Sequence, residues 1–334
     1  QSNPMSSFTV SPDPICCNAC LNDDEPSVNC KCIEINSLCR DIESFSLTEK
    51  SQNDDMNKKR EAIVEMVIND QVPAELYDQS SQWSSMRSWV NAYIEKVLAH
   101  AGIDAPTNQV TCATKAGRGH NFDFSLRVLD YHAAWHEVKV ELKFNAAAIS
   151  DAPQFVSPMK PSQYMSGSYE EFYFDTYLPQ LASMANVQLP AKEMYMKQIH
   201  GNKPACVKAL QDKYYAGCKS SSKFTGNSED VAFYTRSNEL SKESISVFIA
   251  NNELNATKLG EYLKHTQHGK YYMMFKDGEF HMETVDMDEY EIVSVENEPS
   301  KSRFMVTTKT GRQLKVLLRW KNGNGIAYPA FQIS

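Results

Sequence analysis

Apolar residues recur at helical spacing in the first half of the chain and again after residue 150. The stretch 58–68 has its apolar residues on one side, which is typical of an amphipathic helix. A longer helix is predicted over 85–100, because its apolar residues share one side and Ala101-Gly102 supplies a stop signal. Further helices are predicted over 169–184, 191–199, 241–250 and 257–266.

Between these helical stretches, two segments alternate between apolar and polar residues, as β-strands do. The first covers 122–129, and the second covers 135–144 after a short turn at 130–134. Two further hairpins are predicted near the C-terminus: 271–275 with 279–284 around Asp277-Gly278, and 303–308 with 312–320. The order of elements predicts an α/β protein with a mixed β-sheet flanked by helices, extended by a helical and β-rich part.

These patterns divide the chain into four regions. We interpret residues 1–4, which precede Met5, as an expression scar, and residues 5–56 as a cysteine-rich N-terminal module or tail. Residues 57–160 are predicted to form the core that carries the first hairpin. Residues 161–334, helical and then rich in hairpins, are predicted to complete the fold.

Composition places the chain among soluble globular proteins, with 42% hydrophobic and 23% charged residues. No apolar run approaches the ~18 residues that a membrane span needs, and no N-terminal stretch has the layout of a signal peptide. We therefore expect an intracellular, soluble protein of the cytoplasm or nucleus that is not secreted and has no membrane partner.

Charge is distributed unevenly along the chain. The formal net charge of −8 argues against a protein that coats nucleic acid indiscriminately. Residues 191–223, however, contain seven lysines against Glu193 and Asp212, and residues 300–322 contain four lysines and three arginines without an acid. Both stretches are candidates for contact with an anionic partner. For the second, the alternative is a solvated cationic hairpin that balances the acidic stretch 279–298.

The two alternating segments place chemistry on one face of a hairpin. With the turn centred on His132, Asp123 falls opposite Glu141, with Cβ atoms about 5 Å apart. Two facing carboxylates repel one another, and a divalent cation between them removes that conflict. Mg²⁺ characteristically takes one or two carboxylates together with water and phosphate oxygens. Lys143 lies two residues further along the same face, where it can approach a phosphate or the attacking water.

A second Glu-x-Lys triplet, Glu137-Val138-Lys139, lies on the same strand. The register places Glu137 opposite Arg127, which predicts an ordinary cross-strand ion pair. We therefore interpret this triplet as structural and Glu141-Leu142-Lys143 as the chemical one.

This arrangement resembles the PD-(D/E)xK nuclease superfamily, the fold of many restriction endonucleases. The matching residues are Asp123, within Gly119-His120-Asn121-Phe122-Asp123-Phe124, and Glu141-Leu142-Lys143. The context matches over roughly 85–155: a helix, a glycine-bearing loop, a strand with Asp, a hairpin and a strand with Glu-x-Lys. The family usually has Pro where this chain has Phe122.

The resemblance implies a restriction-endonuclease-like core in which Asp123 and Glu141 bind Mg²⁺, with Mn²⁺ as a substitute and with help from the Leu142 carbonyl. It also implies that Lys143 orients or activates the water that attacks the phosphodiester. Many family members add an acid from the preceding helix. Glu95 is the candidate for that catalytic role here, and a solvated helix glutamate is the alternative.

Seven residues are candidates for contact with nucleic acid: Lys115, Arg118, His120, Gln154, Lys315, Arg319 and Lys321. The first three belong to the glycine-containing loop before the first catalytic strand, where cations neutralise phosphate. Gln154 follows the second catalytic strand, and the last three lie on or beside the strand 312–320. A basic surface loop is the alternative for the first group.

Six of the nine cysteines lie between residues 16 and 39. In a chain without a signal peptide, clustered cysteines favour metal binding or free thiols over disulfides. Four of them are candidates for a Zn²⁺ site: Cys17, Cys20, Cys30 and Cys32. The alternative is a tail with free thiols, because the second pair lacks the usual two-residue spacing.

Together these observations predict a Mg²⁺-dependent endonuclease that cleaves double-stranded DNA at a specific sequence, in the manner of a type II restriction enzyme. Cleavage of two strands suggests a homodimer. Two alternatives stay open: an RNA endonuclease or structure-specific DNA endonuclease, and, from another class, a non-enzymatic DNA-binding regulator with a zinc module.

Overall fold

The computed structural model describes residues 31–46, 53–115, 122–146, 149, 159–218 and 227–334. The chain divides into two compact units, which are described separately. Unit 1 comprises Gln1–Ala152 and Gly269–Val285, and unit 2 comprises Pro153–His268 and Asp286–Ser334. Among the helices in these ranges, none has the length and apolar character needed to cross a membrane.

Unit 1 is built on a mixed sheet that has five strands within the described residues. Its helices are α1 (Lys31–Asp41), α2 (Asn53–Ile68), α3 (Ala74–Gln79) and α4 (Ser81–Ala101), with a short 3-10 helix (Ile42–Phe45) after α1. Its strands, in their order across the sheet, are β1 (Val110–Thr114), β2 (Phe124–Leu129), β3 (Trp135–Phe144), β4 (Lys270–Lys276) and β5 (Glu279–Thr284). Of these pairings, β3–β4 is parallel and the others are antiparallel. The predicted α/β class and mixed sheet are confirmed.

One face of this sheet packs against α2 and α4. Val64 of α2, Trp83 of α4 and Val140 of β3 belong to the same buried cluster. Helix α4 ends at the predicted stop signal, where Gly102 takes a left-handed conformation. It begins at Ser81 rather than at the predicted residue 85, because the Ser80 side chain caps it by accepting a hydrogen bond from the Trp83 N–H. The buried side of α4 thus shares one hydrophobic core with β2 and β3.

Two predicted region boundaries are wrong. Helix α1 and the following 3-10 helix place Ile35, Leu38 and Phe45 in the core of unit 1, so the predicted separate region 5–56 is in part core. The few apolar residues of α1 stand among polar ones, which hides the helix in the sequence. The hairpin β4–β5, assigned by sequence to 161–334, also belongs to unit 1, because β3 takes β4 as its parallel neighbour.

Unit 2 combines helices with a second, antiparallel sheet. Its helices are α5 (Tyr169–Thr176), α6 (Leu178–Met184), α7 (Lys192–Gln198), α8 (Lys208–Gly217), α9 (Ser228–Asn251) and α10 (Ala256–Gln267). Its strands are β6 (Ile292–Glu298), β7 (Arg303–Thr308), β8 (Gln313–Trp320) and β9 (Pro329–Ile333), hydrogen-bonded in that order. In its core the Trp320 indole N–H donates to the Tyr169 hydroxyl at 3.0 Å, and that hydroxyl lies 2.8 Å from Ser244 Oγ. These bonds join β8, α5 and α9.

A matched pair of glycines tests the packing of unit 2. Gly325 and Gly311 both have positive φ, but a Cβ would meet the buried Tyr173 hydroxyl at Gly325 and nothing at Gly311. We expect Gly311→Ala to lower the free energy of unfolding by ~1–2 kcal/mol and Gly325→Ala to lower it by a further ~1–3 kcal/mol. Urea unfolding measures both variants. Tyr173→Phe should recover part of the Gly325→Ala loss, and equal losses in the two alanine variants would contradict the described contact.

Candidate functional site

The candidate site begins at the hairpin of β2 and β3. Phe124 pairs with Val140 in an antiparallel register, and the backbone N–H of Asp123 donates to the Val140 carbonyl at 3.0 Å. This is the predicted register, and it places Asp123 beside Glu141 at the point where β2 begins. Lys143 follows on the same face of β3.

The Asp123 carboxylate is held by a backbone hydrogen bond. The Leu142 N–H donates to Asp123 Oδ2 at 2.8 Å. Burial raises the pKa of Asp123, and the negative charge of Glu141 raises it further, against the opposing effects of the Leu142 hydrogen bond and the nearby lysines. Asp123 is therefore a carboxylate whose charge is only partly compensated.

Glu141 is held between two ammonium groups. Lys143 Nζ contacts Glu141 Oε1, and Lys270 Nζ contacts Glu141 Oε2. Burial by itself raises the pKa of Glu141, but the charges and hydrogen bonds of the two lysines outweigh it, so the pKa is lowered. Glu141 is consequently ionised, with both oxygens engaged.

Lys270 is a site residue that the sequence analysis did not find. It begins β4, and its side chain is 4% exposed. Burial lowers its pKa, while the charge of Glu141 acts in the opposite direction. No local motif marks Lys270, because it meets Glu141 through the parallel pairing of β3 with a strand distant in sequence. A lysine at the start of an otherwise apolar strand is the one available signal.

Helix α2 lies along β1 through a ladder of side-chain contacts. The Asn69 amide donates to the Cys112 carbonyl at 2.8 Å, and the Cys112 N–H donates back to Asn69 Oδ1 at 2.7 Å. One helical turn earlier, Glu65 accepts hydrogen bonds from the Thr114 hydroxyl and N–H. Glu65 in α2 and Asn69, directly after its last residue, thus contact alternate residues of β1, Thr114 and Cys112.

Glu61 occupies the next turn of the same helix face. Burial raises the pKa of Glu61 to about 7, and the charge of Asp123 raises it as well, with Lys143 among the opposing charges. This coupling brings Glu61 to the site as a third carboxyl group. The spacing Glu61–Glu65–Asn69, four residues apart on one helix face, is the sequence signal that could have identified it.

Glu95 is not the helix acid of this site. It lies on the exposed side of α4, next to the buried residues Tyr93 and Ile94. The side of α4 that packs in the core carries Tyr93, Ile94, Val97 and Leu98 instead. The structure favours the alternative for Glu95, a solvated helix glutamate, because α4 uses its other side to pack in the core.

The interpretation of Glu137 also needs a correction in detail. It lies opposite Arg127 as predicted. Its carboxylate, however, accepts a hydrogen bond from Ser125 Oγ at 2.7 Å, and the Arg127 guanidinium lies over the Trp135 ring at 4.8 Å. Glu137 is engaged within the sheet, but through a serine rather than through the predicted ion pair.

Of the candidate nucleic-acid contacts before and after the catalytic strands, one lies beside the site and the others lie outside the described residues. Lys115 lies directly after β1, and its N–H donates to the Asp123 carbonyl at 2.7 Å, so it borders the site. Arg118, His120 and Gln154 lie outside the described residues. Of the predicted seven, the structure thus brings Lys115 to the carboxylates of unit 1.

Lys315, Arg319 and Lys321 belong to unit 2. Lys315 and Arg319 are exposed on the outward face of β8, and Lys321 Nζ lies 5.5 Å from the centre of the Tyr328 ring. Arg319 donates to Gln332 Oε1 at 2.5 Å. In the described part of the chain, neither Lys315 nor Arg319 forms an ion pair, so both can meet an anion.

Part of the basic stretch 300–322 balances acidic neighbours. Ion pairs join Arg303 to Glu298 at 2.6 Å, Arg312 to Glu289 at 2.9 Å and Lys309 to Asp288 at 3.5 Å. The alternative of a cationic hairpin that neutralises the acidic stretch therefore holds for these three cations.

The predicted zinc ligands are not described. Cys17, Cys20 and Cys30 lie outside the described residues, and Cys32 lies in α1 without a described side chain. Cys39, further along α1, is a free thiol. Across the ranges that the structure covers, no three His, Cys, Asp or Glu side chains group as a metal site on their own.

Comparisons with known proteins do not assign the chain to a family. No family model matches the chain, and no curated protein matches it. Among solved structures, it is similar to the restriction endonuclease MspI in complex with its cognate DNA, with a TM-score of 0.29 and 9% identity over 90% of this chain and 99% of that chain. A TM-score this low defines neither a fold nor a function.

The raised pKa of Glu61 predicts a pH-dependent stability. A carboxyl group with a pKa near 4.5 when unfolded and about 7 when folded contributes stability below pH 4.5 that is lost as pH rises to about 7. In EDTA, Glu61→Gln should therefore unfold at the same temperature as the unmodified chain at low pH and at a higher temperature above pH 7. Calorimetry across that range measures the difference. A gap of constant size, or the same behaviour in Glu95→Gln, would contradict the assignment.

Proposed function

We propose that this chain is a Mg²⁺-dependent endonuclease that hydrolyses phosphodiester bonds in double-stranded DNA. One observation carries the proposal: Asp123, directly before β2, lies beside Glu141 on β3, with the Lys143 ammonium at the Glu141 carboxylate. Glu61 and Lys270 extend this group beyond the motif.

The residues fit a divalent cation. Mg²⁺ needs one or two protein carboxylates and takes its remaining ligands from water and phosphate. A cation between Asp123 and Glu141 relieves the repulsion that contributes to the raised pKa of Asp123. The ammonium groups of Lys143 and Lys270 already balance two carboxylates, so a bound divalent cation leaves the site positive, as an anionic phosphodiester requires.

Lys143 and Glu61 have the properties of groups that handle the reaction. When bound, Mg²⁺ neutralises charge on the phosphate and makes a ligated water more acidic. The Lys143 side chain is 23% exposed, and it can exchange its contact with Glu141 for a phosphate oxygen. Glu61, with a pKa of about 7, can take a proton from the attacking water at neutral pH. Lys270, by contrast, is buried and acts through Glu141.

Three parts of the proposal rest on the resemblance to restriction endonucleases: the duplex DNA substrate, the sequence-specific cut and the homodimer. The carboxylates and lysines themselves suit any phosphodiester, so RNA and single-stranded DNA belong in the same assay. Lys115, which borders Asp123, is a further cation for the substrate backbone.

The first prediction concerns the carboxylates. Plasmid DNA should be cut with Mg²⁺ or Mn²⁺ and left intact in EDTA. Asp123→Asn should reduce the cleavage rate by about 10²–10³-fold, because a bound cation contributes several kcal/mol of charge stabilisation. Glu61→Gln should also slow cleavage, whereas Glu95→Gln should cut at the unmodified rate. Gel assays under single-turnover conditions measure these rates. Cleavage that persists in Asp123→Asn would sink the proposal.

A second prediction concerns Lys270 as a positioning residue. Removing its charge in Lys270→Met raises the pKa of Glu141, so activity should fall about 10–100-fold and the acidic limb of the pH–rate profile should move to higher pH. Lys276→Met, at the other end of β4, is the matched control and should leave the profile in place. A uniform loss of rate at every pH would show that Lys270 has a merely structural role.

A further inference from the structure

A groove in unit 2 lies among residues of the basic stretch 191–223. It has a volume of about 920 Å³, at the upper end of the range for small-molecule sites. Its walls come from the loop before α8, from α8 itself and from the turn after β8. Its lining includes Asn202, Lys203, Lys208, Gln211, Tyr215 and Asn322.

One residue of the lining, Gln211, is nearly buried and held by hydrogen bonds. Gln211 is 7% exposed, and its amide nitrogen donates to the Asn202 carbonyl at 2.9 Å and the Asn322 carbonyl at 3.0 Å. Because both amide hydrogens are engaged, the side-chain oxygen is the remaining polar atom. Asn322 also donates to the Asn202 carbonyl at 3.4 Å. The groove therefore presents a rigid acceptor suited to an amino or imino group.

The walls add an aromatic ring and a cation. Tyr215 is half-buried, and the edge-to-face contact with Tyr214 at 5.4 Å orients its ring. Lys203 is exposed and forms no ion pair within the described residues, whereas Lys208 is paired with Asp212. Tyr214, unlike Tyr215, has a structural role, since its hydroxyl accepts a hydrogen bond from the Asn324 side chain at 2.9 Å.

Neighbouring lysines of the same basic stretch are paired with acids, as Lys208 is. Lys192 is paired with Glu171 and Asp175, and Lys213 is paired with Asp230. Although the stretch is basic by composition, most of its described charge is neutralised locally. Lys203 is a cation left over at the groove.

We propose that this groove binds one nucleotide of a nucleic-acid strand, with the base against Tyr215, its amino or imino group on Gln211 Oε1 and the phosphate on Lys203. An aromatic face, a fixed acceptor and a cation form the set that nucleotide recognition uses. The choice of a nucleic-acid strand as ligand rests on the proposed function. The groove is then a substrate contact formed by unit 2 alone.

The test is binding of a short fluorescein-labelled DNA duplex, and of one of its single strands, to the full chain in EDTA over a series of salt concentrations. Lys203→Gln should reduce the slope of log K against log salt by about 0.9 on duplex, or about 0.7 on a single strand, as loss of one phosphate contact does. Tyr215→Ala should weaken binding about 5- to 150-fold without changing the slope. Lys197→Gln, an exposed lysine outside the groove, is the matched control.

Each outcome decides. An unchanged slope in Lys203→Gln, an equal change in Lys197→Gln, or no binding to either DNA would overturn the inference, as would binding of AMP that is lost in Lys203→Gln while DNA binding is kept. Lys203→Gln replaces an exposed side chain, so its result stands even if Tyr215→Ala unfolds. Cleavage is measured separately: groove-dependent binding without cleavage would sink the proposed function alone, and cleavage with unchanged binding in the variants would sink the groove alone.

Discussion

Repulsion between Asp123 and Glu141 is the constraint around which unit 1 is organised. Two partly buried carboxylates on adjacent strands oppose folding unless cations compensate them. Lys143 supplies one cation from the same strand, and Lys270 supplies the other from β4. Lys270 reaches Glu141 because the sheet takes in β4 beside β3, although β4 follows far along the chain. The parallel pairing of those two strands is thus a condition for the charge balance of the site as well as for the core.

The same environment gives the three carboxyl groups different properties. Contact with two ammonium groups keeps Glu141 ionised, whereas burial and the charge of Asp123 raise the pKa of Glu61 to about 7. Separated pKa values within one cluster are what acid–base chemistry at neutral pH requires. Helix α2 produces this separation, because its ladder of contacts along β1 carries Glu61 to the cluster, and the hydrophobic face of α2 holds that ladder in place.

In unit 2, ion pairs reduce the number of cations that are left to bind an anionic ligand. Many of the cations in the two basic stretches meet acids that lie elsewhere in the sequence. Exposed ion pairs of this kind add little stability, but they remove the cations concerned from contact with an anionic ligand. Within the described residues, cations that form no ion pair, such as Lys203 at the groove and Lys315 and Arg319 on β8, are therefore more informative than the net charge of either stretch.

The sequence by itself determined those features that depend on neighbouring residues, namely a strand register and a helix end. Alternation and a five-residue turn set the β2–β3 register and with it the neighbours Asp123, Glu141 and Lys143, and the stop signal Ala101-Gly102 set the C-terminal end of α4. The weakly patterned α1 and the short β1 were not predicted, because their residues become buried only through contacts made elsewhere in the fold. Tertiary structure alone decided that Lys270 and Glu61 join the site and that Glu95 does not. Those choices depend on which strand pairs with β3 and which helix face follows β1. A local pattern such as the spacing of Glu61, Glu65 and Asn69 marks a helix face, but it does not say which strand that face contacts.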